Sequence, residues 1–186
     1  MSNRTSDLRY LKTQQQILTA MITLLQRQSF EKITVRDICQ QAQVSRSGFY
    51  LHYDDKYDLV KKYQLTLTTK GNQLFQTYRH QDQQTLLRTL LEFLQHDGQL
   101  LALLLSQNGS AEIQTQIKQF MRDNARHNIL PYLKLKITNE MEANYCIVFL
   151  SNAIFGVIQE WVNTQQQESP AEIAAVVARL LAGLLA

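Results

Sequence analysis

The chain has 186 residues, 45% of them apolar and 19% charged, with a net charge of +3. That apolar share fills the core of one domain, or of two unequal ones, and excludes a disordered tail. The charge is uneven: residues 1–62 hold ten Lys or Arg against six Asp or Glu, a net of +4, whereas residues 63–186 hold nine against ten, a net of −1. A basic amino end suits an anionic polymer, although a solvated face has the same composition.

Two prolines, six glycines and little period-two alternation predict an all-α protein of about nine helices. In chain order they fall near residues 7–28, 34–42, 45–53, 56–78, 83–95, 97–106, 110–136, 139–164 and 170–185. The first carries Leu8, Leu11, Leu18, Ile22 and Leu25 on one stripe. In the second, Thr34 stands three positions before Asp37 as a capping box, flanked by the staple pair Ile33 and Ile38; in the third, Ser45 is the cap and Val44 with Phe49 the staple. Only Ala42, Gln43 and Val44 remain for the turn between them. Val35, Ile38 and Ala42 line one inner face, Phe49 and Tyr53 the other. This is a helix-turn-helix, and its second helix is the one that enters a DNA major groove.

On that second helix Arg46, Ser47 and Tyr50 fall within an arc of about 100°, apart from the Phe49 and Tyr53 face. Arg46 can bond a guanine edge bidentately, Ser47 can donate or accept, and the Tyr50 hydroxyl can reach a phosphate. Gly48 costs about 1 kcal/mol relative to alanine inside a helix, which close approach of the backbone to the groove would offset. The helix starts at Ser45 and around Thr34 and Arg36 favour phosphate, and Lys56 adds a charge at the head of the long fourth helix.

Further along, Pro131 should kink or divide the 110–136 segment, and Pro170 suits the first turn of the last helix with Ser169 as its cap. From Tyr145 to Val162, and again from Ile173 to Leu185, apolar residues fall at nearly every angle, so both helices need cover on two sides. One side is the chain's own core. The other calls for a second copy in an intermolecular four-helix bundle, where Ala153, Gly156, Ala175 and Ala178 permit close approach; the alternative is a large monomeric core around both helices. No apolar run reaches the roughly 18 residues of a membrane span, since Ser151 and Asn152 interrupt even Tyr145 to Ile158, so no membrane partner is expected. Cys39 and Cys146 read as buried free thiols of a reducing cytoplasm.

The histidines His52, His80, His96 and His127 show no His-Glu-x-x-His spacing and no partnered Cys or Asp, so the chain is not read as an enzyme and no metal or cofactor is assigned. A ligand in the larger, later part of the chain would be lined by Leu67, Phe75, Tyr78, Phe93, Leu94, Phe120, Met121 and Trp161, although aromatic residues at helical spacing equally make ordinary core.

The order Ile33-Thr-Val-Arg-Asp-Ile38, then Val44-Ser-Arg-Ser-Gly-Phe-Tyr-Leu-His-Tyr53, then Asp55-Lys-Tyr-Asp-Leu-Val60 resembles the tetracycline-repressor (TetR/AcrR) family of one-component bacterial regulators. The detailed match covers residues 10–62. It implies that Arg36, Ser45, Arg46, Ser47, Gly48, Tyr50, His52 and Lys56 lie at or near double-stranded DNA, with Tyr50 and Lys56 on phosphates; His52 could instead bridge to the neighbouring helix. It also implies a helix-turn-helix domain over 1–54 and an effector-binding and dimerisation domain over 55–186. Such a protein is a cytoplasmic homodimer on a palindromic operator, a repressor before an activator, answering to a small molecule or a protein. A helical protein-interaction module, or an activator working through a protein co-regulator, is the alternative. Gln43 and Ser29 stand where the family usually has glycine, and a side chain in a left-handed conformation costs roughly 1 to 2 kcal/mol. The stretch with Gly156-Val-Ile-Gln-Glu-Trp161 and Glu168-Ser-Pro-Ala-Glu172 is similar to the branch that includes regulators of dihydroxyacetone kinase operons.

Overall fold

The computed structural model describes residues 2–78, 82–128, 130 and 137–184, with backbone only for residues 2–7 and for parts of some helices. Nine α-helices and no strand occur among them: α1 Ser2–Leu25, α2 Val35–Ala42, α3 Arg46–Tyr50, α4 Lys56–Tyr78, α5 Gln83–Gln95, α6 Gln99–Leu105, α7 Ala111–Asn128, α8 Glu140–Asn163 and α9 Pro170–Leu184, with a 3-10 turn at Phe30–Lys32 after α1. The all-α expectation holds. The kink expected at Pro131 lies outside the described residues.

Side-chain caps set most of the helix starts. Asp82 accepts from the Thr85 amide and Asn139 from the Glu142 amide, both at 2.9 Å. At α9, Ser169 donates its amide and hydroxyl to Glu172 Oε2 and accepts the Glu172 amide in return, while Pro170 takes the first helical position, where no amide donor is required. Ser29 departs from the expectation. α1 ends at Leu25, the next residues turn through bonds from the Arg27 and Gln28 amides to Leu24 O, and Ser29 is extended at φ −66°, so a side chain there costs nothing.

One apolar cluster runs through the molecule. At the amino end it holds Ile17, Met21, Leu25, Phe30, Ile33, Ile38 and Phe49; further along come Leu91, Leu100, Leu104 and Trp161. Helix α1 packs on α2 and α3 and also on α6, so the first three helices rest on the rest of the chain through α1. Polar bonds fix that seat. The Phe30 amide donates to Asn108 O at 2.7 Å, and from α4 the Lys62 ammonium donates to His52 O at 3.0 Å. The loop bearing Asn108 is itself tied to α8, since Gln159 Nε2 donates to Leu105 O and the Gln107 amide donates to Asn163 Oδ1.

Helix α8 is long and apolar enough to cross a membrane by length and composition, which Ser151 and Asn152 had been expected to prevent. Both polar side chains donate to the helix's own Val148 carbonyl, and so interrupt little. The buried face, with Ile147, Leu150, Phe155, Ile158 and Trp161, packs on α6 and α7 as a core helix. The opposite face is uncovered: Met141, Tyr145 and Phe149 are 65%, 68% and 57% exposed. These three, with Asn152 and Gly156, fall within an arc of about 80°. On α9, Ala174 and Val177 are buried while Val176 and Leu180 are exposed. Neither helix is wrapped inside a monomeric core.

Candidate nucleic-acid interface

The geometry begins with the two caps. Thr34 Oγ1 accepts from the Asp37 amide, and Asp37 Oδ2 accepts from the Thr34 amide at 2.9 Å and the Thr34 hydroxyl at 2.7 Å, a complete capping box. Those bonds hold the Asp37 carboxyl below its ordinary pKa. Ser45 Oγ accepts from the Gly48 amide at 3.0 Å and shares a hydrogen bond with Ser47 Oγ. Ile33 and Ile38 are fully buried staples, and Phe49 is buried beside a half-buried Val44.

Between the helices Gln43 adopts φ 56° and ψ 40°, the left-handed cap expected to want glycine, and its amide donates to Cys39 and Gln40 carbonyls. Gln43 is exposed, so no packing offsets the strain. Replacing Gln43 with glycine should therefore stabilise the chain by about 1 kcal/mol, less than the full left-handed penalty because glycine also frees the unfolded chain. Denaturant unfolding checks this; an unchanged or lowered midpoint would show that the turn holds no strain.

With Phe49 and Tyr53 turned inward, Arg46, Ser47 and Tyr50 stand outward on α3. The Tyr50 ring is braced edge-on against Phe49 at 5.6 Å and is 55% exposed. Arg36 and Arg46 are exposed and make no hydrogen bond or ion pair among the described residues. The starts of α2 and α3 bring Thr34, Arg36, Ser45, Arg46, Ser47 and Tyr50 onto the solvent side. Gly48 has an internal reason that the sequence reading missed: a β-carbon there would lie 3.2 Å from Ser45 Oγ, crowding the cap. Leu51, at 77% the most exposed large apolar residue among the described residues, was also missed; it adjoins Ser47 one turn on.

His52 and Lys56 stand differently. His52 is buried, and its ring lies 4.0 Å from that of Tyr10 on α1, so of the two expectations the bridge to the neighbouring helix describes its position. Its Nδ1 has no hydrogen-bond partner, and burial first, then the charge of Lys62, holds the imidazole pKa below its ordinary value. The Lys56 ammonium donates to Phe30 O at 2.8 Å and to Glu31 O at 3.0 Å, beneath the rings of Phe30 and Tyr57. One of its three donors remains for an outside acceptor.

The ligand-lining candidates differ in exposure. Leu67, Leu94 and Trp161 are buried, Phe93 and Met121 half-buried, and Phe120 exposed; the side chains of Phe75 and Tyr78 lie outside the described residues. The Trp161 indole is engaged, donating to Glu168 O at 2.8 Å. Of the small residues, Ala153 and Gly156 are exposed, and Ala175 and Ala178 line a shallow open groove on α9 with Val176, Arg179 and Gln84 of α5.

Comparison with known proteins joins these observations. Residues 17–63 match the model described as bacterial regulatory proteins, tetR family, and residues 81–183, over half of the chain, match that of a transcriptional regulator C-terminal region. An uncharacterised helix-turn-helix regulator of Bacillus subtilis, YxbF, is 31% identical over 68 residues, 36% of this chain; the aligned part spans 18% of that relative's length. A TetR transcriptional regulator from Streptococcus agalactiae superposes with a TM-score of 0.65 over 97% of this chain and 99% of its own, at 23% identity. The dihydroxyacetone kinase operon activator DhaS superposes with a TM-score of 0.53 at 19% identity, covering 93% and 96%. At these identities the structural likenesses show the fold, and DhaS gives no separate support to its branch.

Proposed function

This chain belongs to the TetR family of bacterial transcriptional regulators, so it is a DNA-binding regulator and not an enzyme, and from that premise we propose that it works as a homodimer on a two-fold operator under the control of an effector. The observation that carries the reading is the outward set Arg46, Ser47 and Tyr50 on a helix whose other face is locked by Phe49 and Tyr53. Arg46 is assigned to a guanine edge, Tyr50 to a phosphate, and the α2 and α3 starts at Thr34 and Ser45 to phosphates on either side. Leu51 adds apolar surface suited to a thymine methyl. The working division is residues 1–54 for DNA and 55–186 for effector and partner copy.

Two copies must present their α3 helices about 34 to 36 Å apart, or a multiple of that, to reach successive major grooves. The uncovered faces of α8 and α9 supply the pairing surface. Control then needs only a change in that separation: a ligand that shifts α4 or α6 moves α1–α3 as a unit through Lys62 and Asn108, with no base contact touched. Repression follows most directly, because occupying a promoter blocks it without a further protein contact. The compartment this implies is the bacterial cytoplasm, where the free thiols Cys39 and Cys146 stay reduced.

The test is a salt-titrated binding assay on the DNA flanking the gene, with footprinting for a two-fold repeat. Arg46→Ala should lose about 1 to 3 kcal/mol of binding and relax preference at one position of each half-site. Lys56→Ala should weaken all sequences alike and flatten the salt slope by about one unit per lost contact. It should also lower stability, since Phe30 O and Glu31 O lose their donor. Affinity indifferent to sequence in the unmodified protein would remove the operator reading altogether.

A further inference from the structure

We propose that Lys118 and Arg122 of α7 form an anion site facing α8, and that the effector is an amphipathic acid whose carboxylate they hold. This rests on the reading that a ligand controls the protein from residues 55–186, and it adds the chemical class of that ligand.

Both residues are half-buried and lie one turn apart, which puts their β-carbons about 5 to 6 Å from each other. The Lys118 ammonium sits 4.4 Å from the centre of the buried Phe155 ring, on the inner side of α8. Arg122 Nε is shielded from solvent and has no acceptor. Neither cation makes an ion pair among the described residues. The acids of α7 and α8 serve other groups: Glu112 accepts from Gln116, Asp123 from Gln119, Glu140 pairs with Arg126, and Glu142 binds the Thr138 amide and hydroxyl, while Glu160 is exposed.

Withdrawing a guanidinium edge from water without an acceptor is unfavourable, and a second cation on the next turn raises the demand for a negative partner. The Nε edge of arginine presents parallel N–H donors that match the two oxygens of a carboxylate. Phe155 and the half-buried Met121, one residue before Arg122, provide apolar surface next to the charge. A small acid with an apolar body satisfies both features; a purely polar anion leaves the second unused.

The probes are decanoate and phenylacetate, with decanol as the neutral counterpart, at constant ionic strength set by chloride. Decanoate should raise the melting temperature of the unmodified protein. Arg122→Met, which keeps length and apolar stem without the charge, should fold and lose ten-fold or more of the decanoate affinity; Lys118→Met should lose less, and Arg122→Lys should keep part. If no acid binds the unmodified protein, or if Arg122→Met binds decanoate as well as it does, the proposal is overturned. Operator binding is measured in parallel. Acids that bind through Arg122 yet leave DNA bound would uphold the site and remove effector control, whereas release by decanol alone would keep effector control and remove the anion site.

Discussion

Gly156→Leu is expected to turn the proposed homodimer into a monomer and to lower operator affinity by roughly 100-fold or more, with the fold of the single chain retained. Glycine inside a helix is about 1 kcal/mol worse than alanine, so its place in the middle of α8 requires a return. The chain itself supplies none: a β-carbon on Gly156 would meet nothing within 4 Å. Around it lie Phe149 and Tyr145 on the exposed stripe of α8, with Ala153 beside them. An exposed stripe that is apolar but for Asn152 suits a contact surface. Packed helices sit about 8 to 10 Å apart, at the near end of that range where small residues face each other, and a leucine would hold them off. Loss of pairing removes the tethering of the second half-site, an effect worth 10²-fold or more in linked systems. Light scattering, thermal melting and operator titration of the same variant read the three parts. A variant that stays dimeric with unaltered affinity would move the interface away from α8.

The elements that sequence made legible are those whose cause is local. Thr34 with Asp37, Ser45 before Gly48, and Ser169 with Pro170 each state a helix start within four residues, and each start is where those residues put it. The same holds for the outward arc of α3, since burial of Phe49 and Tyr53 fixes by helical geometry what remains outside. Positions that depend on distant partners were not legible in this way. His52 turns inward because Tyr10, 42 residues earlier, stacks on it, and Lys56 is held by carbonyls of the Phe30–Lys32 turn. Ser29 was misjudged because α1 stops with its apolar stripe at Leu25, three residues short of the expected end at Gln28. The facing of the ligand-lining candidates was out of reach for a related reason: whether an aromatic residue faces core, solvent or a neighbouring loop depends on how helices pack, as exposed Phe120 and engaged Trp161 show. Gln165 and Gln166, both left-handed at φ 61° and 57°, close the end of α8 within a glutamine run that composition marks only as polar.

The second large effect is expected at Gly109, in the loop between α6 and α7. A β-carbon there would overlap the Leu104 carbonyl oxygen and carbon, both backbone atoms with no rotamer through which to yield. Gly109→Ala must therefore displace the loop, at about 3 kcal/mol, the upper end of ordinary overpacking, or roughly 6 to 12 °C in melting temperature for a chain of this size. The loop is also the link between distant parts of the molecule. Leu105 at the end of α6 and Gln107 of the loop are tied to Gln159 and Asn163 of α8, the proposed pairing helix, and the Asn108 carbonyl receives the Phe30 amide just ahead of α2. Displacement should therefore open the Phe30 bond, so the Phe30 amide should exchange with solvent ten-fold or more faster than in the unmodified protein. Asn163→Ala, which removes only the acceptor of the Gln107 amide, should cost about 1 kcal/mol and leave that exchange closer to the unmodified rate. Were Gly109→Ala to melt normally with the Phe30 amide still protected, the loop would not be the rigid link between α8 and α1–α3, and the proposed control of α3 spacing would have to pass through α4 alone.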